Sequence, residues 1–323
     1  NVKFIQWNNN KNRSTNETHF VGFGTWQLDG EQAEHLTYEA IKIGYRTIDC
    51  AYEYLNEKGI GKGIKKALDD KLCKREDLFI TSKLWNSFHD HKWAEIQLQR
   101  SLQNLQLEYL DCFIVHWPVS FQQVLKDSNG PQYDPDNIEL YPRQNGHIQL
   151  QKISLETTWR QMEMFVDQKL VRHIGVSNYT AALLLDLLNY CRIPPYCNQI
   201  ESHFWFQNSA LIDFCKSRGV LVVCYSPFGG CYQYGELAGK SILKDPQVAK
   251  MAADLKVSVS DLILSWHHGR QVVVIPRSSK IENLARNLNF QQVQVDLGKI
   301  SVMEKGIRFN NAAKTFWETP VFE

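Results

Sequence analysis

The sequence carries almost no surplus of charge: across 323 residues, 36 Lys and Arg stand against 35 Asp and Glu, a net of +1. There is no basic footprint for a nucleic-acid backbone or an anionic membrane surface, so a small-molecule partner is expected, with neither nucleic acid nor membrane involved. No stretch approaches the roughly 18–20 uncharged apolar residues that span a bilayer, and an apolar fraction of 43% is ordinary for a soluble globule. Cysteine pairs of the CxxC type are missing. Instead Cys50, Cys73, Cys112, Cys191, Cys197, Cys215, Cys224 and Cys231 are scattered, several inside apolar runs such as "LDCFIVHW" and "VLVVCYS". Such placement suits buried free thiols better than disulfides. No charged-then-apolar leader precedes "NVKFIQW", so a reducing, cytoplasmic compartment is expected.

The motifs of metal and phosphate chemistry are also missing. Without HExxH, Cys/His ligand spacing or a carboxylate cluster, no catalytic metal is expected. No GxGxxG turn follows a strand-like run, which counts against a doubly wound dinucleotide sheet. "GIGKG" (59–63) has the wrong glycine spacing, and "GELAGKS" (235–241) is one residue short of a P-loop. Both read as surface turns or helix ends.

What recurs instead is a short β-branched or aromatic run. "FVGFG" (20–24), "RTIDCA" (46–51), "LFITSKL" (78–84) and "YLDCFIVHW" (109–117) are followed by "HIGVSN" (173–178), "YCNQIES" (196–202), "VLVVCYS" (220–226) and "VVVIPRS" (272–278). Near-continuous apolar runs of this length predict strands covered on both faces. Between them lie segments with apolar residues at three and four spacing, from Trp93, Ser154 and Asn208, which predict amphipathic helices; Ser154 and Asn208 lead the last two and Gly219 closes the third. Eight strand–helix units predict an α/β chain forming one (β/α)8 TIM barrel over residues 1–323. Residues 1–19 are expected to form a hairpin plugging the closed end. Residues 118–153 form one long loop after the fourth strand, and such loops are usually functional or disordered.

In a parallel barrel the carboxyl ends of all strands share one mouth. The runs deliver there Trp26, Asp49 and Tyr54, Lys83 and Trp85, His116 and Trp117, Ser177 and Asn178, Asn198 and Gln199, Tyr225 and Ser226, and Arg277 and Ser278. A lone Asp, Lys or His ending a strand is an ordinary cap or surface group. Asp49, Tyr54, Lys83 and His116 ending three consecutive strands are a different matter, because together they form an acid–base set suited to proton transfer to a carbonyl. A phenol has a pKa near ~10, and an adjacent ammonium lowers it by roughly 1–3 units. Lys83 is placed to do this to Tyr54, with Asp49 compensating the buried cation and His116 orienting the carbonyl oxygen. No side chain supplies a hydride, so a reduced nicotinamide is required.

The stretches "GFGTWQ", "YRTIDCAYEYLNE", "LFITSKLW", "LDCFIVHWP", "VRHIGVSNY", "CNQIESH", "YSPFGG" and "IPRSSKIENLARN" resemble the aldo-keto reductase superfamily, over essentially the whole chain. The resemblance implies a catalytic tetrad of Asp49, Tyr54, Lys83 and His116 with Tyr54 as proton donor. It implies that Ser177, Asn178 and Gln199 hold the nicotinamide carboxamide and that Tyr225 stacks on its ring. Ser226, Arg277, Ser278 and Asn287 complete the implied coenzyme site. Ser279 and Glu282 have capping-box spacing at a helix start, where phosphate is attracted, and Arg277 adds a charge-assisted contact to a 2′-phosphate. The family commonly has a second cation where this chain has Asn283, so NADPH is expected with NADH as the alternative. Trp26, Trp85, Trp117 and Phe228 are expected to line an apolar pocket around the tetrad. The chain is also similar to sugar-reducing members, and that likeness implies contacts to sugar hydroxyls from Glu53 and from Asn310, the latter within a tail (305–323) near the pocket. Two departures are "IESHFWFQ", which replaces the usual His-Pro-Tyr, and the loop after strand four. The expected activity is NADPH-dependent reduction of aldehydes, aldoses or sugar phosphates, by a monomer or weak dimer. The alternatives are a coenzyme-binding scaffold on the same fold and a ketone or steroid reductase.

Overall fold

The computed structural model describes residues 19–230 and 239–311 together with Trp317 and Phe322. The expected hairpin therefore lies outside the described residues except for His19, as do Cys231 and the first half of "GELAGKS". Strands β1 (Phe23–Gly24), β2 (Thr47–Asp49), β3 (Phe79–Leu84) and β4 (Leu110–Val115) come first. A small antiparallel ribbon, β5 (Arg143–Gln144) and β6 (His147–Ile148), follows within the long loop. Then come β7 (Val171–Ser177), β8 (Cys197–Glu201), β9 (Leu221–Tyr225) and β10 (Val273–Val274). All eight predicted runs are strands, paired in parallel in the order β1-β2-β3-β4-β7-β8-β9-β10. The sheet curls until its ends meet. Val21 bridges Val274 in parallel, Gly22 N donates to Val274 O at 2.8 Å, and Val274 N donates to Phe20 O at 2.8 Å.

Helices α1 (Gly30–Ile43), α2 (Glu57–Asp69), α3 (His91–Leu105), α4 (Leu155–Asp167), α5 (Ala181–Tyr190) and α6 (Ser209–Ser217) are followed by α7 (Pro246–Asp254), α8 (Val259–Gly269), α9 (Ile281–Leu288) and α10 (Leu297–Ser301). Ser154 caps α4 as expected, accepting from Thr157 N. Asn208 does not cap α6 with its side chain, which donates instead to Glu201 O. The capping box expected at Ser279 is absent as well. The N-cap of α9 is Lys280, whose backbone N–H is taken by Ser278 Oγ at 3.1 Å. Among the described residues no helix is long and apolar enough to cross a membrane, and the seven described cysteines are free thiols.

Alternation along the strands sorts the side chains into two cores. Outward residues such as Ile48, Ile80, Phe113, Val115, Ile174, Val176, Val222 and Val274 join the main cluster beneath the helices. Inward residues Phe79, Cys112, Ile114, Cys197, Val223, Val273 and Ile275 fill the barrel. Phe79, His173 and Tyr196 stack within that interior. Since the interior is closed by apolar packing, polar inward side chains are left for the opposite rim, and that is where the candidate site lies.

The glycines of "GIGKG" form neither a surface turn nor a helix end. They lie within α2, where Ile60 and Ile64 are buried, each worth about 1.5–3 kcal/mol of burial. A Cβ on Gly59 would stand 2.2 Å from Gly30 O, and one on Gly61 2.3 Å from Asn104 O. The glycines let α2 approach the backbones of α1 and α3, and so hold the turn before α2 against the rim. The long loop is fastened there too. Trp85 Nε1 donates to Leu140 O at 2.8 Å, Gln123 Nε2 to Ser87 O at 2.8 Å and Tyr52 Oη to Asp136 at 2.9 Å.

Candidate active site

Parallel strands bring Asp49 to the end of β2, Lys83 near the end of β3 and His116 just beyond β4; Tyr54 sits in a short 3-10 turn, Tyr52–Tyr54, that follows β2. Lys83 is 0% exposed and Asp49 4%. An ammonium has three protons to place, and three acceptors surround this one. Asp49 Oδ2 lies at 2.6 Å, Cys50 O at 2.7 Å and Tyr54 Oη at 3.2 Å. The other oxygen of Asp49 accepts from Gln199 Nε2 at 2.7 Å, so both carboxylate oxygens are held and the ion pair cannot swing away from Tyr54.

His116 is 7% exposed, and its Nδ1 is buried with no hydrogen bond among the described residues. Its ring meets Tyr54 edge-on at 5.8 Å and Trp85 at 5.3 Å. Burial pushes the imidazole well below its ordinary range, and the Lys83 charge acts in the same direction. The ring is accordingly neutral at physiological pH.

Two other buried rings share that behaviour. Burial lowers His89 to about 3 and holds His267 well below its usual value. Below about pH 6.5 the unfolded chain binds protons on these three imidazoles that the folded chain refuses, so the unfolded state binds more protons and stability is lost as the pH is lowered. For His89 this loss runs from 6.5 down to about 3. Burial raises Glu53 and Glu57, which opposes the trend, since a folded state that holds the proton more firmly gains as the pH drops. Three imidazoles stand against these two carboxyl groups. The unfolding free energy from urea titration is expected to fall between about pH 7 and about pH 5 by up to ~1.4 kcal/mol per ring per pH unit; a constant or rising value would contradict the assignment of neutral rings.

The side chains implied for a nicotinamide form one network. Asn178, at φ 65°, donates through Nδ2 to His116 O at 3.0 Å and to Ser177 Oγ at 3.1 Å, while its Oδ1 accepts from Tyr225 Oη at 2.8 Å. Ser177 Oγ donates to Gln199 O at 2.9 Å. Hydroxyl and amide groups on neighbouring strand ends, beside Asp49, supply the donors and acceptors that a carboxamide needs, so the residues fit such a group. Asn198 does not join them. It points outward, its Nδ2 donating to Tyr179 O at 2.9 Å. Arg277 is oriented by Nε donating to Trp26 O at 3.0 Å, Ser278 is turned back onto Lys280, and Asn287 is buried in the last turn of α9.

Trp85 and Trp117 are nearly wholly buried and pack beside His116. Trp317, from the tail, lies against both, with ring centroids 6.0 and 4.8 Å away. Trp26 and Phe228 are half-buried. Glu53 is hydrogen-bonded by Tyr141 Oη from the long loop, and Asn310 Nδ2 donates to Ser226 Oγ at 3.2 Å. Sequence reasoning missed the Gln199–Asp49 bond, the Tyr141–Glu53 bond and the place of Trp317. Each joins residues far apart in the chain, and no local pattern announces such a pairing.

A model of the aldo/keto reductase family matches residues 21–305. The chain is similar to an NAD(P)H-dependent D-xylose reductase of Kluyveromyces lactis, 38% identical over 303 residues, covering 90% of this chain and 91% of that protein. Similarity to an NAD(P)H-dependent D-xylose reductase of Pyricularia oryzae is 37% identity over 308 residues, 92% of each chain. Among solved structures, the aldose reductase of Giardia lamblia superposes with a TM-score of 0.83 at 37% identity, covering 94% of this chain and 98% of that one.

Proposed function

The chain belongs to the aldo/keto reductase family, and we propose that it reduces the aldehyde of an aldose or sugar phosphate to the alcohol, with Tyr54 as the general acid. One observation carries this reading: a fully buried ammonium spends its three donors on Asp49, a backbone carbonyl and the Tyr54 hydroxyl. When bound, a reduced nicotinamide, NADPH or NADH, supplies the hydride. Ser177, Asn178, Gln199 and Tyr225 would hold its ring end, and Ser226, Arg277, Ser278 and Asn287 the remainder.

The rest of the chemistry belongs to the chain. The neutral His116 ring directs a hydrogen bond at the substrate's carbonyl oxygen, which fixes that oxygen beside Tyr54. As negative charge develops there, the phenol proton moves to it, and Lys83 stabilises the phenolate left behind. Asp49 keeps the ammonium in place, and Gln199 keeps Asp49 in place. Trp26, Trp85 and Trp117 wall the pocket, while Glu53 and Asn310 are the polar groups available to sugar hydroxyls. The xylose reductases among the relatives support an aldose over a ketone or a steroid. Every group in this scheme comes from one chain, in keeping with a monomer or weak dimer.

Initial rates with NADPH and with NADH, across xylose, glyceraldehyde and mannose 6-phosphate, test the reading. Aldehyde-dependent coenzyme oxidation with formation of the alcohol is expected. Tight coenzyme binding without any aldehyde-dependent turnover would favour a scaffold and overturn it.

A further inference from the structure

We propose that Glu201 is a positioning residue for sugar selectivity: its buried carboxyl group seats the carboxyl-terminal segment so that Asn310 stands beside the mouth. This rests on the aldose reading above. Glu201 ends β8 and is 0% exposed. Its Oε1 accepts from Phe309 N at 2.6 Å and its Oε2 from Asn310 N at 2.9 Å, while His203 Nε2 lies 2.8 Å from Oε1. A buried carboxyl group is costly unless its oxygens are met. Here two successive backbone amides meet them, and the Phe309 side chain between those amides packs on Trp205, which fixes the register of the segment.

The turn after Glu201, whose sequence "HFWFQ" departs from the family pattern, completes the seat. Trp205 O accepts from Lys305 N and Ile307 N, both at 3.1 Å. Gln207 N donates to Glu304 at 2.6 Å, and Gln207 Nε2 to Ile300 O at 2.7 Å. The Phe309 ring stacks on Trp205 at 5.8 Å. Gly229 and Gly230 also lie against it: a Cβ on either would come within 2.9 and 2.8 Å of that ring. Seated in this way, Asn310 reaches Ser226, next to Tyr225, whose hydroxyl belongs to the mouth network. Glu201 itself touches neither Tyr54 nor the other members of the acid–base set; it acts through the tail. Hydroxyl-bearing substrates therefore sense Glu201, and aldehydes without hydroxyls do not.

The test compares D-xylose with butanal, a hydroxyl-free aldehyde. Glu201→Gln sets an amide NH2 against a backbone N–H, and losing one oriented hydrogen bond to substrate raises the xylose KM about tenfold, with kcat and the butanal kcat/KM held within about twofold. Asn310→Ala raises the xylose KM likewise, and the double variant is no worse than the more affected single one. Where the Gln variant does not fold, Glu201→Asp keeps both oxygens but draws them back, and a smaller rise in xylose KM alone is expected. An unchanged xylose KM, equal losses on both aldehydes, or additive effects in the double variant would overturn the proposal. A wild-type protein active on butanal but insensitive to xylose hydroxyls also overturns it while sparing the reductase reading; a wild type inactive on both removes that reading itself.

Discussion

Tyr54→Phe is expected to slow aldehyde reduction by about 10²–10⁴-fold, the range that loss of a positioned general acid produces. The substitution removes a single oxygen and leaves the ring in its contact with His116, so folding and coenzyme affinity should change little. Lys83 keeps two of its three acceptors, Asp49 and Cys50 O, so the ion pair survives. The effect should therefore fall on kcat, and coenzyme titration by fluorescence should give nearly the wild-type affinity. Near-wild-type turnover would show that the proton comes from elsewhere and would sink the mechanism.

Lys83→Met has a second kind of effect, because it damages both chemistry and fold. Methionine fills most of the space of the lysine stem but leaves Asp49 buried with Gln199 as the one side-chain donor to its carboxylate among the described residues. Removing one partner of a buried pair costs about 3–5 kcal/mol, since the remaining charge has neither water nor counter-ion. Activity should fall at least as far as in Tyr54→Phe. Adding Asp49→Asn should return much of the lost stability, because the orphaned charge goes with it, while activity stays low. Urea denaturation of the two single variants and the double variant decides this. A double variant less stable than Lys83→Met would mean that Asp49 is needed for packing and not as a counter-charge.

The strands and the acid–base set were readable in the sequence because each depends on local information. A buried parallel strand announces itself as a short apolar run, and the residues at its carboxyl end inherit a common rim. Asp49, Lys83 and His116 follow from that topology alone. Other features depend on what a residue meets from distant parts of the chain. Gln199 and Asp49 are 150 positions apart, and Glu201 and Phe309 are 108 apart. The glycines of α2 were misread because their meaning lies in the backbones of Gly30 and Asn104, not in their own spacing. Ser279 fails as a cap because the helix begins one residue later than the pattern suggests, with Lys280 at its N-cap position.

The junction between Val21 and Val274 has a bearing on biosynthesis. About 250 residues separate the two margins of the curled sheet, and a ribosome must extrude that whole span before they can find each other. Until then the growing polypeptide presents two open strand edges, each a template for pairing with a neighbour. Truncated translation products ending ahead of residue 274 are thus expected to aggregate or be degraded, while the finished protein gains a cooperative clasp that no shorter fragment can make.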